Sequence, residues 1–208
     1  MKLQIAVDIA DTERVLEIAE QVHDIVDIYE VGTPVIMKEG MRPVRALKER
    51  YPELCVRADT KIMDGGALAW EDVCEAGADI VTVLALADNA TIAEVAETAH
   101  RYDRKVLADL ICVRDIPGRA KELADMGVDY IGVHTGVDMQ KAGRTPLKDL
   151  EELVLAVEPA KTAVAGGVKI DTIDAYAVLE PEIIIAGGAL CHAENVRQAA
   201  MDMKGHIK

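Results

Sequence analysis

The sequence predicts an α/β protein, one compact single-domain (β/α)8 (TIM) barrel over residues 1–208, on three observations. Short apolar runs rich in Ile and Val alternate with amphipathic helical stretches from end to end, the pattern of a parallel sheet covered by helices. The alternation counts eight units of about 25 residues, the fewest that close a barrel. Half the chain is hydrophobic, yet only 3% is aromatic and Phe is absent, so the core must be built from Ile, Val, Leu and Ala, as in strands buried on both faces. An open doubly wound sheet needs a Gly-rich first turn, whereas the first strand here is followed by Asp8-Ile9-Ala10.

Lys2 to Val7 reads as a buried strand stopping at Asp8, and Asp11 opens a helix with Val15, Ile18, Ala19 and Val22 on one face. A strand from Ile25 to Val31 carries Glu30 near its end. Gly32-Thr33-Pro34 breaks it, and a helix through Val44, Leu47 and Lys48 runs to Tyr51-Pro52. The third strand ends at Asp59, the first residue of the spacing D-x-K-x-x-D formed by Asp59, Lys61 and Asp64. Strand alternation would point Asp59 and Lys61 the same way, with Asp64 in the loop beyond. Glu75-Ala-Gly77-Ala-Asp79 and Asp125-Met-Gly127-Val-Asp129 share one grammar: a helix end, a Gly suited to the left-handed C′ position, an Asp, then a buried strand. Between them fall helix Thr91 to Arg101, strand Lys105 to Leu110 and helix Arg114 to Met126. The strand after Asp129 ends at His134, and a polar loop through Gly143 leads to helix Leu147 to Val157. Strand Thr162 to Ala165, Gly166-Gly167, a helix from Asp171 to about Leu179, strand Glu182 to Ala186, Gly187-Gly188 and helix Glu194 to Lys204 complete eight strands alternating with eight helices.

Thirty-seven acids against 23 bases leave a net charge of -14, a field that repels nucleic acid and anionic membrane and argues against either as a partner. An anionic substrate must then be held by local devices. The cysteines Cys55, Cys74, Cys112 and Cys191 form no C-x-x-C pair and read as reduced residues of a cytoplasmic protein. The opening MKLQIAVD enters a strand-like run directly, so no signal peptide is expected. No apolar stretch approaches the roughly 20 residues that span a bilayer.

Catalytic groups in such barrels sit at the C-terminal ends of the strands. Those ends carry Asp8, Glu30, Asp59 with Lys61, Asp109 and His134. His134 ends an apolar strand, whereas His23, His100, His192 and His206 lie in helical or terminal polar stretches, which makes His134 the acid–base candidate. Glu30 and Asp59 show no basic neighbour other than Lys61. Gly166-Gly167 and Gly187-Gly188 follow the last two strands, where backbone N–H groups can hold a phosphate without a basic patch.

Ala6-Val-Asp8, Glu30-Val-Gly-Thr-Pro34, Ala58-Asp-Thr-Lys-Ile-Met-Asp64, Ala78-Asp-Ile-Val-Thr-Val83, Ala108-Asp-Leu-Ile111, Gly132-Val-His-Thr-Gly136, Ala163-Val-Ala-Gly-Gly167 and Gly187-Gly188 together resemble the orotidine 5′-monophosphate decarboxylase superfamily, and within it the hexulose-6-phosphate synthases. Thr60 departs from the apolar residue usual at its position. The sister 3-keto-L-gulonate-6-phosphate decarboxylases typically have Glu in place of Asp109, and Arg in place of Thr135 and Gly188. The resemblance implies a Mg²⁺-dependent condensation of formaldehyde with D-ribulose 5-phosphate through a 1,2-enediolate, with the decarboxylase as the alternative. It implies Mg²⁺ on Glu30 and Asp59, His134 as the base, Lys61 as a stabilising cation, and Asp8 and Asp109 orienting hydroxyls or the aldehyde. It also implies a homodimer with shared active sites, in which Asp64 completes the site of the second subunit.

Overall fold

A computed structural model describes residues 1–8, 11–158 and 161–207. Eight strands pair parallel in chain order and close on themselves: β1 (Lys2–Val7), β2 (Ile28–Val31), β3 (Val56–Ile62), β4 (Ile80–Leu84), β5 (Lys105–Asp109), β6 (Tyr130–His134), β7 (Thr162–Ala165) and β8 (Ile183–Ala186). Closure runs through Leu3 beside Ile184 and Ile5 beside Ala186. The predicted barrel is therefore the fold. Of the Asp8-Ile9-Ala10 turn that follows β1, Ile9 and Ala10 lie outside the described residues.

Alternate strand residues face opposite ways, and the two faces bury different things. Outward residues such as Leu3, Ile5, Val31, Val56 and Val81 join the helices in the main core. Inward, Ile28, Ile80, Leu107, Tyr130, Ala163, Ile183 and Ile185 fill the barrel. On the β1–β4 side the inward positions above them are polar: Gln4, Glu30, Arg57 and Thr82 are all buried.

Eleven helices rather than eight occur among the described residues. The break at Gly32-Thr33-Pro34 opens an extra helix, α2 (Thr33–Glu39), because Pro34 falls in the first turn, where its missing N–H needs no partner. The expected helix through Val44 and Leu47 follows as α3 (Arg42–Arg50), and short helices also lie at Val137–Lys141 and Gly188–Cys191. Strand β2 starts at Ile28 rather than Ile25, since the N–H groups of Ile25 and Val26 turn back to Val22 O at 2.9 and 3.0 Å and close the end of α1 (Thr12–Val22). Asp11 caps α1 as expected, accepting from Arg14 N at 2.9 Å.

The Gly-x-Asp grammar has a physical meaning. Gly77 and Gly127 take φ of +91° and +81°, the left-handed turn that ends each helix. The Asp that follows reaches sideways to the first strand of its pair: Asp79 Oδ2 accepts from Val56 N and Asp129 Oδ2 from Val106 N, both at 2.9 Å. Asp27, before β2, does the same for Leu3 N at 2.7 Å. Each aspartate thus ties an odd-numbered strand to the even-numbered one after it.

Simple alternation does not carry β3 through to Lys61. The β3–β4 register shifts between Ala58 and Ile62, and Lys61 has φ of +46°, a left-handed conformation that a side chain other than Gly adopts only when the surroundings enforce it. Thr60 supplies part of that enforcement. Its hydroxyl donates to Thr82 O at 2.9 Å, replacing a ladder bond with a side-chain bond at the bulge. Thr60→Val keeps the shape and removes the donor, and should lower unfolding free energy in urea by about 1 kcal/mol. Unchanged stability would show that the bulge does not depend on this bond.

Candidate active site

The C-terminal mouth of the barrel holds a cavity of about 600 Å³ lined by Asp8, Glu30, Asp59, Lys61, Asp109 and His134 from the ends of β1, β2, β3, β5 and β6, with Gly166, Gly167, Gly187 and Gly188 from the ends of β7 and β8. Ten of the eleven residues singled out in the sequence are therefore brought together. Asp64 is not among them. It is exposed, accepts from Gly65 N at 2.8 Å, and borders a separate hollow of about 580 Å³ with Met41, Arg45 and Met63. Lys61 borders both spaces.

Asp109 and His134 form the best-defined pair. They close adjacent strands, and Asp109 Oδ2 lies 2.9 Å from His134 Nδ1, while Asp109 Oδ1 accepts from Ile111 N at 2.9 Å. Pinned on both oxygens, the carboxylate fixes the ring so that Nδ1 carries the hydrogen and Nε2 is the basic atom. Burial would lower the imidazole pKa, but the hydrogen bond and charge of Asp109 outweigh it and hold His134 above its ordinary value. Burial likewise opposes ionisation of Asp109, yet the bond to His134 and the positive charges beside it hold its carboxyl below the usual range.

Lys61 Nζ donates to Asp59 Oδ2 and stands 3.6 Å from Asp109 Oδ2. Burial works against its charge, and these two carboxylates reverse that and raise its pKa. Lys61 is accordingly a fixed cation, unsuited to accepting a proton near neutral pH.

Glu30 and Asp59 are 4% and 5% exposed, so their partners decide whether they stay charged. Asp59 Oδ2 accepts from Thr33 Oγ1 at 2.9 Å as well as from Lys61. Burial would raise its pKa, but Arg57 and Lys61 drive it down. Glu30 accepts from Gln4 Nε2 and is pushed up by burial, only partly offset by Arg57. The expectation that Lys61 is the only basic neighbour of this pair is incorrect. Arg57 Nη1 lies 3.6 Å from Glu30 and Arg57 Nη2 lies 3.6 Å from Asp59. Arg57, Gln4 and Thr33 lie below or beside the strand ends and so escape a reading of those ends alone; the period-two spacing of Arg57 and Asp59 on one strand is the signal that the sequence carries.

Asp59 Oδ1 is buried without a hydrogen-bond partner, and with Glu30 it offers the hard oxygen donors that suit Mg²⁺. Among the described residues no group of three or more His, Cys, Asp or Glu could hold a metal ion.

Close packing explains two of the glycines. A Cβ on Gly32 would fall 2.0 Å from Asp8 Oδ1, so the aspartate lies in space that only glycine leaves open. Gly166, at φ +105°, would bring a Cβ to 2.2 Å from Thr135 O, and Gly167 follows at φ +75°. That backbone lines the cavity together with Gly187 and Gly188 from the neighbouring β8 and with Lys169 and Gln140.

Residues 1–203 match the Orotidine 5'-phosphate decarboxylase / HUMPS family. The 3-hexulose-6-phosphate synthase of Bacillus subtilis (strain 168) is 43% identical over 204 residues, covering 98% of this chain and 97% of that protein. The crystal structure of 3-hexulose-6-phosphate synthase from Salmonella typhimurium superimposes with a TM-score of 0.96 at 40% identity, covering 100% of this chain and 98% of that one. The 3-keto-L-gulonate-6-phosphate decarboxylase of Vibrio cholerae O1 biovar El Tor follows at 30% identity and a TM-score of 0.86, with 99% and 96% covered.

The Asp109–His134 contact makes a direct prediction for an NMR titration of the imidazole. His134 should titrate above about pH 6.5, the unperturbed value, and Asp109→Asn should move its midpoint downward, because the charge that favours imidazolium is gone. Equal midpoints in the two proteins would mean that Asp109 does not govern the ring.

Proposed function

Because the chain belongs to the Orotidine 5'-phosphate decarboxylase / HUMPS family, we propose that it joins formaldehyde to D-ribulose 5-phosphate to give 3-hexulose 6-phosphate. It is an enzyme of the aldehyde-lyase type. The observation that carries the synthase reading is near-complete coverage by synthases at 43% and 40% identity, against 30% for the decarboxylase. Asp109, Thr135 and Gly188, where decarboxylases typically have Glu, Arg and Arg, favour the same side.

The site's own groups suffice to describe the proton and carbon transfers. The phosphate lies against the backbone of Gly166, Gly167, Gly187 and Gly188, which places the sugar's keto end among the carboxylates. His134 Nε2 removes a proton from C1, and the C–H electrons move into a 1,2-enediolate. The positive charge of Lys61 stabilises its oxygens. The enediolate C1 attacks formaldehyde, forming the new C–C bond, and the former aldehyde oxygen takes up a proton as the ketone returns. The proton held on His134 balances the reaction. Asp8 orients a substrate hydroxyl and Asp109 keeps the imidazole in the tautomer that exposes Nε2. Glu30 and Asp59 would hold Mg²⁺, which would supply a hard positive charge able to polarise the sugar's ketone.

Asp64 belongs to the other half of the proposal. Its place outside its own cavity, with Lys61 bordering both spaces, supports a two-fold homodimer in which each chain lends Asp64 to its partner's site.

A paired assay tests the reaction: formaldehyde should disappear only when ribulose 5-phosphate is present, EDTA should abolish this and Mg²⁺ restore it. Release of CO₂ from 3-keto-L-gulonate 6-phosphate, with no formaldehyde uptake, would overturn the synthase reading in favour of the decarboxylase. The shared site is tested by mixing Lys61→Ala and Asp64→Ala, each inactive alone. A heterodimer places both lesions in one site and leaves the other whole, so activity should return to about half of wild type per heterodimer if the sites act independently. Heterodimers that form without activity would confine Asp64 to its own subunit.

A further inference from the structure

Arg57 is a buried cation that the reaction outlined above does not use. It is 3% exposed, sits directly across from Glu30 in the β2–β3 register, and precedes Asp59 by one inward position on β3. Arg57 therefore enters the barrel level with Glu30 and one inward step below Asp59, and its side chain lines the mouth cavity. Packing does not demand a charge there. Across the barrel the neighbouring inward positions are held by Gly132, Ala163 and Ile183.

The hydrogen bonding is as informative as the position. Arg57 Nε donates to Thr82 Oγ1 at 2.9 Å, which anchors the side chain from β4. Nη1 has no hydrogen-bond partner, and the nearest carboxylate oxygens, Glu30 Oε2 and Asp59 Oδ1, are each 3.6 Å from a guanidinium nitrogen. At that distance the forked hydrogen bonds that usually lock Arg to a carboxylate are not made. What remains is charge, which acts on both carboxylates at once. Their exchange partner would be any cation approaching from above.

We propose that Arg57 is a positioning residue that serves as a resident counter-cation, compensating Glu30 and Asp59 before metal arrives and making divalent metal bind the pair less tightly. Without it, Lys61 at Asp59 would be the one cation left beside two buried carboxylates in the metal-free protein, and the pair would hold a divalent ion more strongly. With it, the metal-free protein is stable and the ion stays exchangeable. This inference rests on the proposed Mg²⁺ site at Glu30 and Asp59.

The test needs no turnover. Mg²⁺ is titrated calorimetrically into the full chain without substrate, and melting is followed with and without Mg²⁺, for wild type, Arg57→Gln, Arg57→Lys and, as the control that locates the ion, Asp59→Asn. Arg57→Gln retains a group able to donate to Thr82 and should still fold. Its melting temperature should drop without metal, its Mg²⁺-induced rise should exceed that of wild type, and Mg²⁺ should bind it at least about tenfold more tightly, because a nearby like charge has been removed. Arg57→Lys retains the charge and should stay within about threefold of wild type. Wild-type binding that Asp59→Asn abolishes, together with equal or weaker binding by Arg57→Gln, would overturn the role of Arg57 and leave the metal site standing. No Mg²⁺ response in wild type would overturn both.

Discussion

Three carboxylates at the barrel mouth, Glu30, Asp59 and Asp109, are at most 5% exposed, and keeping charge there is the constraint on which the site depends. An isolated carboxylate in such surroundings takes up a proton instead. Arg57, Lys61 and His134 are interleaved with them, so that Asp59 stands between Arg57 and Lys61, and Asp109 between Lys61 and His134. The alternation of sign divides the work. Lys61, surrounded by negative charge, is held protonated, whereas His134 touches one carboxylate and retains a ring nitrogen for proton exchange. Glu30 is the least compensated of the three, with burial pushing its carboxyl up, and it is also the group that pairs with Asp59's unpartnered oxygen to suit a cation.

Much of this was legible in the chain because a parallel barrel converts sequence position into spatial position. An apolar strand that stops at a charged residue places that residue at the mouth, and Asp8, Glu30, Asp59, Asp109 and His134 were found in that way. The geometry of Lys61 was not legible. Alternation placed it beside Asp59 correctly but for an incomplete reason, since the chain reaches that side through a bulge and a left-handed residue steadied by Thr60. Arg57 is hard to read because it lies inside a strand, where charge is not expected, and its partners Glu30 on β2, Asp59 on β3 and Thr82 on β4 make it tolerable. Helix number was underestimated where short turns follow Gly, as at Thr33–Glu39 and Gly188–Cys191, because helices so short leave almost no periodic signal.

The mouth separates two tasks by strand. The charged groups come from the ends of β1, β2, β3, β5 and β6, while β7 and β8 end in glycines that expose backbone to the cavity. In a chain with net charge of -14, peptide N–H groups can receive an anion without adding a basic side chain.

At the opposite end of the barrel, the aspartates at 27, 79 and 129 join strands only 23 or 24 residues apart in sequence. Each such pair, with the helix between, is a local unit whose contacts can form before distant parts of the chain meet. The one strand pairing that spans nearly the whole chain is β8 on β1, so the entropy of closing the ring falls on that single step. The order of assembly is thus written into the floor of the barrel, in residues that take no part in the chemistry at its mouth.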